Sequence, residues 1–367
     1  MKKSQLTILL LAIAIAVCGI LSIYSSTCQK EGQLWQSIYQ RQIIWVILGV
    51  FLYVVISNFN YRRLWDWTYV IYALTLLFLL LVFILGVVRL GAQRWIRFSW
   101  FNFQPSEFAK LILVIFLARY FSKKSVDDIA LPSRRFGIIK GIILPLVYVA
   151  IPMFLIIEQP DLGSGLMILF IFIAVLYITG VRLRYIFTFL AVILLPVPYL
   201  WNFLRDYQKD RLLVFLNPNV DPLGAGYTVI QSKIAIGSSD LFGKGWLAGT
   251  QSQLYFLPES HTDFIFATFT EEWGLVGSAL LLLLYFLLIR QGFSIASRTR
   301  DSFGKLLAYG ISLMLAIQIF TNVAMNMGMA PVVGLPLPLM SYGGSSVIVT
   351  FISLAILANI DRTRAVF

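Results

Sequence analysis

The chain is poor in the residues that build most soluble enzymes. Its 367 residues include one histidine and two cysteines, and only 13% of the side chains are charged. A lone histidine, His261, excludes a histidine-built zinc centre, because there is no H-x-x-x-H pair and no cysteine cluster to complete one. A Ser-His-Asp triad would have to draw on His261 and Asp263 from one short turn, a poor arrangement for a base and the group that orients it. Cys18 and Cys28 do not make a disulfide framework. The chain has no soluble domain, linker, low-complexity tract or internal repeat, so residues 1–367 are expected to form a single membrane domain.

What is abundant is apolar side chain: 59% of the residues, with a mean hydropathy of +0.84. No soluble domain of this length hides that much, so the bilayer must be the solvent. The apolar runs are continuous rather than alternating, which excludes a β-barrel and leaves helices. Windows of roughly 17–25 residues fall near 6–26, 42–57, 66–88, 105–121, 138–157, 164–180, 185–204, 274–290, 304–326 and 342–360. The expected fold is therefore all-α: a polytopic membrane protein of about ten transmembrane helices with one long extracytoplasmic loop near 205–263. Met1-Lys2-Lys3 and the run after them mimic a signal sequence, but no small-residue cleavage site follows, so the first helix is expected to stay.

Acidic residues are scarce, 17 against 29 Lys and Arg, for a formal charge of +12. Such a balance would invite nucleic acid, but topology accounts for it. Lys2, Lys3, Arg62, Arg63, Lys123, Lys124, Arg134, Arg135, Arg290, Arg298 and Arg362 fall on one side of the expected membrane. The short loops opposite hold only Lys30, Arg41, Arg89, Arg94 and Arg97. The positive-inside rule then makes both termini cytoplasmic and the 205–263 segment external.

That segment is dense in glycine, amides, single charges and aromatics, and it ends at S-H-T-D just before F-I-F-A. Asp263 there is expected to be partly desolvated, which raises a carboxyl towards a useful general base. The plainer reading is a helix cap, since Ser260 and Asp263 have capping-box spacing. In Q-P-S-E-F-A-K, Pro105 suits a first helical position and puts Glu107 and Lys110 on one face. Lys110 would lie roughly 7 Å inside the span, as a functional site or as a structural ion pair. Arg94, with Arg89, Arg97, Trp95 and Trp100, either anchors the interface or cradles an anionic headgroup. Arg211 and Lys233 are outer cations with apolar neighbours, or simply solvated loop charge. Glu158 and Asp161 share one face of a turn, or simply belong to a turn that ends a helix. Gln318, Asn322 and Asn326 form a stripe that is either interhelical glue or a polar conduit.

Taken together, G-A-Q-R-W, F-Q-P-S-E-F-A-K, Q-P-D-L-G-S, D-P-L-G-A-G-Y, L-P-E-S-H-T-D-F-I-F-A and G-L-P-L-P-L-M-S-Y-G-G-S-S resemble the SEDS family (shape, elongation, division and sporulation proteins) over nearly the whole chain. The run from Gln231 to Leu254 favours the elongation branch over the division branch. The resemblance implies a peptidoglycan glycosyltransferase that polymerises lipid II at the outer face of the bacterial cytoplasmic membrane, partnered by a class B penicillin-binding protein. It places the family's essential acid on Asp263 and its Glu and Lys on Glu107 and Lys110. Ser260 stands where many relatives have Arg. A divalent cation, Mg or Mn, or the cations Arg94, Arg211 and Lys233 would hold the diphosphate; no organic cofactor is implied. The rival class is a lipid II flippase, which needs polar residues along a whole path through the bilayer.

Overall fold

A computed structural model describes residues 3–28, 33–89, 92–98, 101–122, 139–181, 183–195, 199, 202, 206–224 and 226–363. Of the basic residues weighed above, Lys2, Lys30, Lys123, Lys124, Arg134 and Arg135 lie outside the described residues, as does Trp100.

Although the 66–88 run ends in a strand and the helix on the 185–204 run stops at Leu194, the expected apolar runs fall largely on helices. In chain order these are α1 (Lys3–Cys28), α2 (Gln33–Asn58), α3 (Arg63–Leu85), α4 (Pro105–Ser122), α5 (Leu144–Glu158, entered through a π-turn at Ile139–Ile143), α6 (Leu162–Ile178) and α7 (Leu183–Leu194). The segment after them is not the open loop expected from sequence: it carries α8 (Asp206–Leu216), α9 (Tyr227–Gly237) and a single turn, α10 (Thr250–Gln253). The long α11 (Ile265–Arg298), α12 (Ser302–Asn326) and α13 (Gly344–Thr363) complete the set. Among the described residues, seven helices are long and apolar enough to cross a membrane. Helices α6 and α7 are shorter, and α4 carries Glu107, Lys110 and Arg119. Where the end of the 66–88 run and a loop after it are expected, β1 (Gly86–Arg89), β2 (Ala92–Arg97) and β3 (Asn102–Phe103) form a small antiparallel sheet.

Burial separates the core helix from the periphery. The apolar window of α13 is 83% buried, against 22% for α3. α13 packs on α2, α1, α4 and α12, with Phe351 laid against Gly49 and Trp45 against Gly344. On α3, by contrast, Leu74, Leu77, Leu80 and Phe83 face outward, as apolar side chains do when lipid is the solvent.

α11 is broken rather than straight. Gly274 sits at φ 69°, ψ −166° inside it, a conformation open to glycine because it has no Cβ. The groups freed by the break find partners in the preceding segment. Lys244 N and Gly245 N donate to the carbonyls of Glu271 and Glu272 at 3.0 Å. Leu275 N and Val276 N donate to the carbonyls of Asp240 and Leu241 at 3.1 Å. Unpaired backbone inside a membrane helix costs several kcal/mol per group, so this splice is what makes the break tolerable. Glu271, fully buried, fastens the same segment by pairing with Lys244 Nζ at 2.7 Å and accepting from Gln251 N and Thr250 Oγ1.

The bundle has two distinct ends. Ser4 donates to Asp361, Arg362 to Asn58, and Tyr61 to Asp301, so both termini and the 58–62 and 299–301 turns share one end. The 92–104, 158–162, 259–264 and 331–343 segments meet at the other.

Candidate active site

Three segments converge at the end opposite the termini. Asn326 and Asn322, on α12, donate through Nδ2 to the carbonyl of Asp263 at 2.9 and 3.0 Å. Asn322 also donates to Leu335 O at 2.8 Å, and Gln318 to Pro336 O at 2.9 Å. One stripe of amides thus pins the turn before α11 and the 331–341 segment to the same helix. Ser341 Oγ adds a bond to Thr262 O at 2.6 Å, and Tyr342 N one to His261 O at 2.9 Å. Of the two readings of the stripe, the geometry selects the glue: its amides are spent on backbone.

Asp263 is held by its backbone and left free at its side chain. Among the described residues its carboxylate has no hydrogen-bond partner. The capping reading fails: α11 begins at Ile265, Phe264 is its N-cap and no side chain caps it. Asn326 Oδ1 instead accepts the Ala267 N–H at 3.1 Å. Ser260 is buried and contributes its carbonyl to Thr268 Oγ1 at 3.2 Å.

Burial is the largest influence on the Asp263 carboxyl, raising it from 3.8 to about 6. Glu259 pushes in the same direction, Arg211 and then Arg94 push back, and Asp161 adds a small rise. The site is therefore a cluster of two guanidiniums and two carboxylates around a half-desolvated acid. Gly334 shows how close the parts are. It sits at φ 71°, and a Cβ added there would lie 3.5 Å from Asp263 Oδ2 and 3.9 Å from Arg94 Nη1.

The small sheet places Arg94. Its β2 pairs with β1 across Gly86–Ile96 and Val87–Trp95, with an irregularity before Val88. Gln93 donates to Val82 O and Gly86 O at the end of α3, which fixes where β2 leaves the helix. Arg94 then reaches the α5–α6 turn, pairing with Asp161 Oδ1 at 3.7 Å and donating to Pro160 O. Asp161 is 1% exposed and is itself held by Ser164 N at 3.1 Å and Ser106 Oγ at 3.3 Å. Of the two readings of Glu158 and Asp161 the helix-ending turn holds, since a helix ends and another starts between them: Glu158 is exposed at the end of α5, while Asp161 caps α6.

Glu107 and Lys110 form a second tier. Lys110 Nζ donates to Glu107 Oε1 at 2.7 Å and to Gln318 Oε1 at 3.2 Å, with both charged groups buried. Gln318 is one helical turn from Asn322, so the pair lies roughly 6 Å further into the bundle than the Asp263 clamp. Arg211 lines a small cavity with Val214, Val229, Gly328 and Pro331. Lys233 is exposed and lies across Gly328 at the rim of that cavity, without entering the charges that act on Asp263. Arg97 is exposed. His261 is buried and packs against Tyr342, ring centroids 6.0 Å apart.

Glu259, Glu271 and Glu272 were not singled out by sequence reasoning. The signal was available for the last two: F-T-E-E-W puts two carboxylates in an apolar helix, where ionisable groups are functional or paired. Glu259 carried no such signal, since only the fold brings it to bear on Asp263.

The family model for FtsW, RodA and SpoVE, described as a cell cycle protein, matches residues 4–366. The chain is 41% identical to the peptidoglycan glycosyltransferase MrdB of Escherichia coli K12 over 98% of its own length and 93% of that protein's. Among solved structures it resembles a chain from work on the structural coordination of polymerization and crosslinking by a peptidoglycan synthase complex. That match has a TM-score of 0.81 at 33% identity and covers 97% of both chains. It also resembles the rod shape determining protein RodA of Thermus thermophilus, with a TM-score of 0.71 at 28% identity, over 97% of this chain and 96% of that one. With a match along nearly its full length and multiple apolar helices in one bundle, the chain is a multi-pass membrane protein and belongs to the FtsW/RodA/SpoVE family.

Proposed function

We propose that this chain is a peptidoglycan glycosyltransferase of the elongation type, a single membrane domain that polymerises lipid II at the outer face of the cytoplasmic membrane. The observation that carries this reading is Asp263: a carboxylate near pKa 6 with no internal partner, beside two guanidiniums, at the end of the bundle away from the termini. The relatives' names support the reaction class. The bias of Arg and Lys towards the terminal end supports cytoplasmic termini and an external site.

In the reaction, Asp263 takes the proton from an acceptor sugar hydroxyl. That oxygen attacks the donor anomeric carbon, and the bond to the polyprenyl diphosphate breaks in the same displacement, which inverts the centre. Arg94 and Arg211 receive the charge that develops on the leaving diphosphate. Arg94 is the better positioned of the two, since Asp161 and Pro160 fix its direction. Lys233, at the rim, would steer the anion rather than stabilise the transition state.

Among the described residues no three His, Cys, Asp or Glu side chains converge to cage a metal. Asp263 and Glu259 nonetheless fit a divalent cation such as Mg or Mn, which needs only one or two carboxylates when phosphate oxygens and water complete its shell. A cation held there would neutralise the diphosphate. A class B penicillin-binding protein is the partner that would cross-link the strands.

A flippase is the competing reading. A conduit would have needed the Gln318–Asn326 stripe, whose amides bind carbonyls instead. The test is polymerisation of purified lipid II by the reconstituted protein with its cognate transpeptidase. Glycan strands from wild type, lost in Asp263→Asn, support the assignment. Lipid II crossing vesicle bilayers without strands under any condition would replace it with transport.

A further inference from the structure

A second cleft opens at the terminal end of the bundle, between α1 and the last turns of α11. It has a volume of about 350 Å³ and a distinctly sided lining. Arg290, Arg298, Gln291, Ser294 and Thr7 supply its polar groups, and Leu11 and Leu287 its floor. None of these is an acid. Among the described residues neither Arg290 nor Arg298 has a hydrogen bond or ion pair. Two carboxylates at that end are engaged elsewhere: Asp301 accepts Gly304 N at 2.7 Å and Tyr61 Oη at 3.0 Å, and Asp361 accepts Ser4 Oγ.

Depth makes the two arginines informative. Past the break at Gly274 the helix runs uninterrupted to Arg298. At about 1.5 Å per residue, Arg290 lies roughly 24 Å along it and Arg298 roughly 36 Å. A hydrocarbon core is about 30 Å thick, so counted from the break Arg298 lies beyond one core thickness and Arg290 near the far boundary. An arginine at that depth without a protein acceptor needs an anion or water at its guanidinium. The flanks of the cleft are apolar and outward-facing on both helices, with Leu6 and Leu10 on α1 and Leu283 and Phe286 on α11. A soluble anion would gain nothing from such walls, whereas acyl chains would.

We infer that this cleft is a binding site for an anionic phospholipid, its phosphate held by Arg290 and Arg298 and its chains lying against α1 and α11. Guanidinium matches a phosphate in a bidentate fashion. Basic pockets between transmembrane helices at this depth take such headgroups. Ser294 and Gln291 add neutral donors for the remaining phosphate oxygens or the glycerol hydroxyls. The site lies at the opposite end of the bundle from Asp263 and does not depend on the chemistry there.

The experiment is native mass spectrometry of the full-length protein released from nanodiscs of phosphatidylcholine with a minor fraction of phosphatidylglycerol. Wild type should retain phosphatidylglycerol with about 10- to 30-fold enrichment, as two arginines near the surface provide. Arg290→Gln/Arg298→Gln should lose that enrichment, while Arg290→Lys/Arg298→Lys keeps part of it. Arg63→Gln, an exposed arginine outside the cleft, should behave as wild type. A thermal melt accompanies each variant, so lost binding is scored only in folded protein. Should the Gln pair be unfolded, the Lys pair and competition by soluble glycerol phosphate decide. No enrichment in wild type, or equal enrichment in a folded Gln pair, would overturn the proposal. So would displacement of the lipid by millimolar glycerol phosphate, which would mark a site for soluble phosphates.

Discussion

Asn326 ties Asp263 to the first turn of α11: its Nδ2 donates to the Asp263 carbonyl at 2.9 Å, and its Oδ1 accepts the Ala267 N–H at 3.1 Å. The clamp fixes the backbone of the acid while leaving its carboxylate without a partner, as a proton acceptor requires. Asn326→Ala removes both bonds in a buried place, at a cost of about 2–4 kcal/mol. Polymerisation should fall at least about tenfold, the expected scale when a reacting group is misplaced by an ångström. A steady-state assay on the reconstituted complex, with a thermal melt alongside, checks both effects.

The pH profile follows from the carboxyl near 6. A base must be unprotonated, so the rate should hold above pH 7 and fall about tenfold per unit well below pH 6. Arg211→Gln removes a charge that lowers Asp263, so the break in the profile should move upwards, whatever it does to the maximal rate. An unmoved break in that variant would mean that some other group titrates.

The same carboxyl makes the active protein less stable than it need be. Its folded pKa of about 6 lies above the ordinary 3.8, so the folded state binds the proton more tightly than the unfolded one. The resulting penalty is fully present above pH 6, shrinks as pH falls, and is gone below about pH 4. Asp263→Asn should therefore melt higher than wild type at pH 7, by about 1–3 kcal/mol of stability. It should also lose this pH dependence and polymerise at least about 100-fold more slowly.

Glu107 and Lys110 offer a clean separation of structure from function. Lys110→Met leaves a carboxylate buried and unpaired, a loss of about 3–5 kcal/mol. Glu107→Gln/Lys110→Met removes both charges and should recover most of that stability. If the pair acts only as a strut, polymerisation returns with the stability; if it contacts substrate or transmits the partner's signal, activity stays low in a well-folded protein.

Gly334 is the test of space rather than charge. Ala at φ 71° is strained, and its methyl would stand between Asp263 Oδ2 and Arg94 Nη1. Gly334→Ala should lower the rate and raise the apparent KM for lipid II while leaving every charged group in place. A kinetic comparison with wild type at saturating and limiting lipid II reads the split.

Much of this molecule is fixed by its sequence. Apolar runs set the helices, because nothing else satisfies backbone in lipid. Asp263, Glu107 and Lys110 stood out as ionisable groups among apolar neighbours. Tertiary structure alone decided the rest. Local spacing could not tell a cap from a free carboxylate at Asp263, because its hydrogen-bonding depends on Asn322 and Asn326, about sixty residues away along the chain. Nor could it decide between conduit and clamp for that stripe, since the accepting carbonyls belong to other segments. Glu158 and Asp161 looked equivalent until one faced outward and the other met Arg94. The break at Gly274 is likewise invisible in the sequence, because its stabilising bonds come from residues 240–245. Composition determines which segments enter the bilayer, but which polar group is left without a partner there is settled only when distant segments meet.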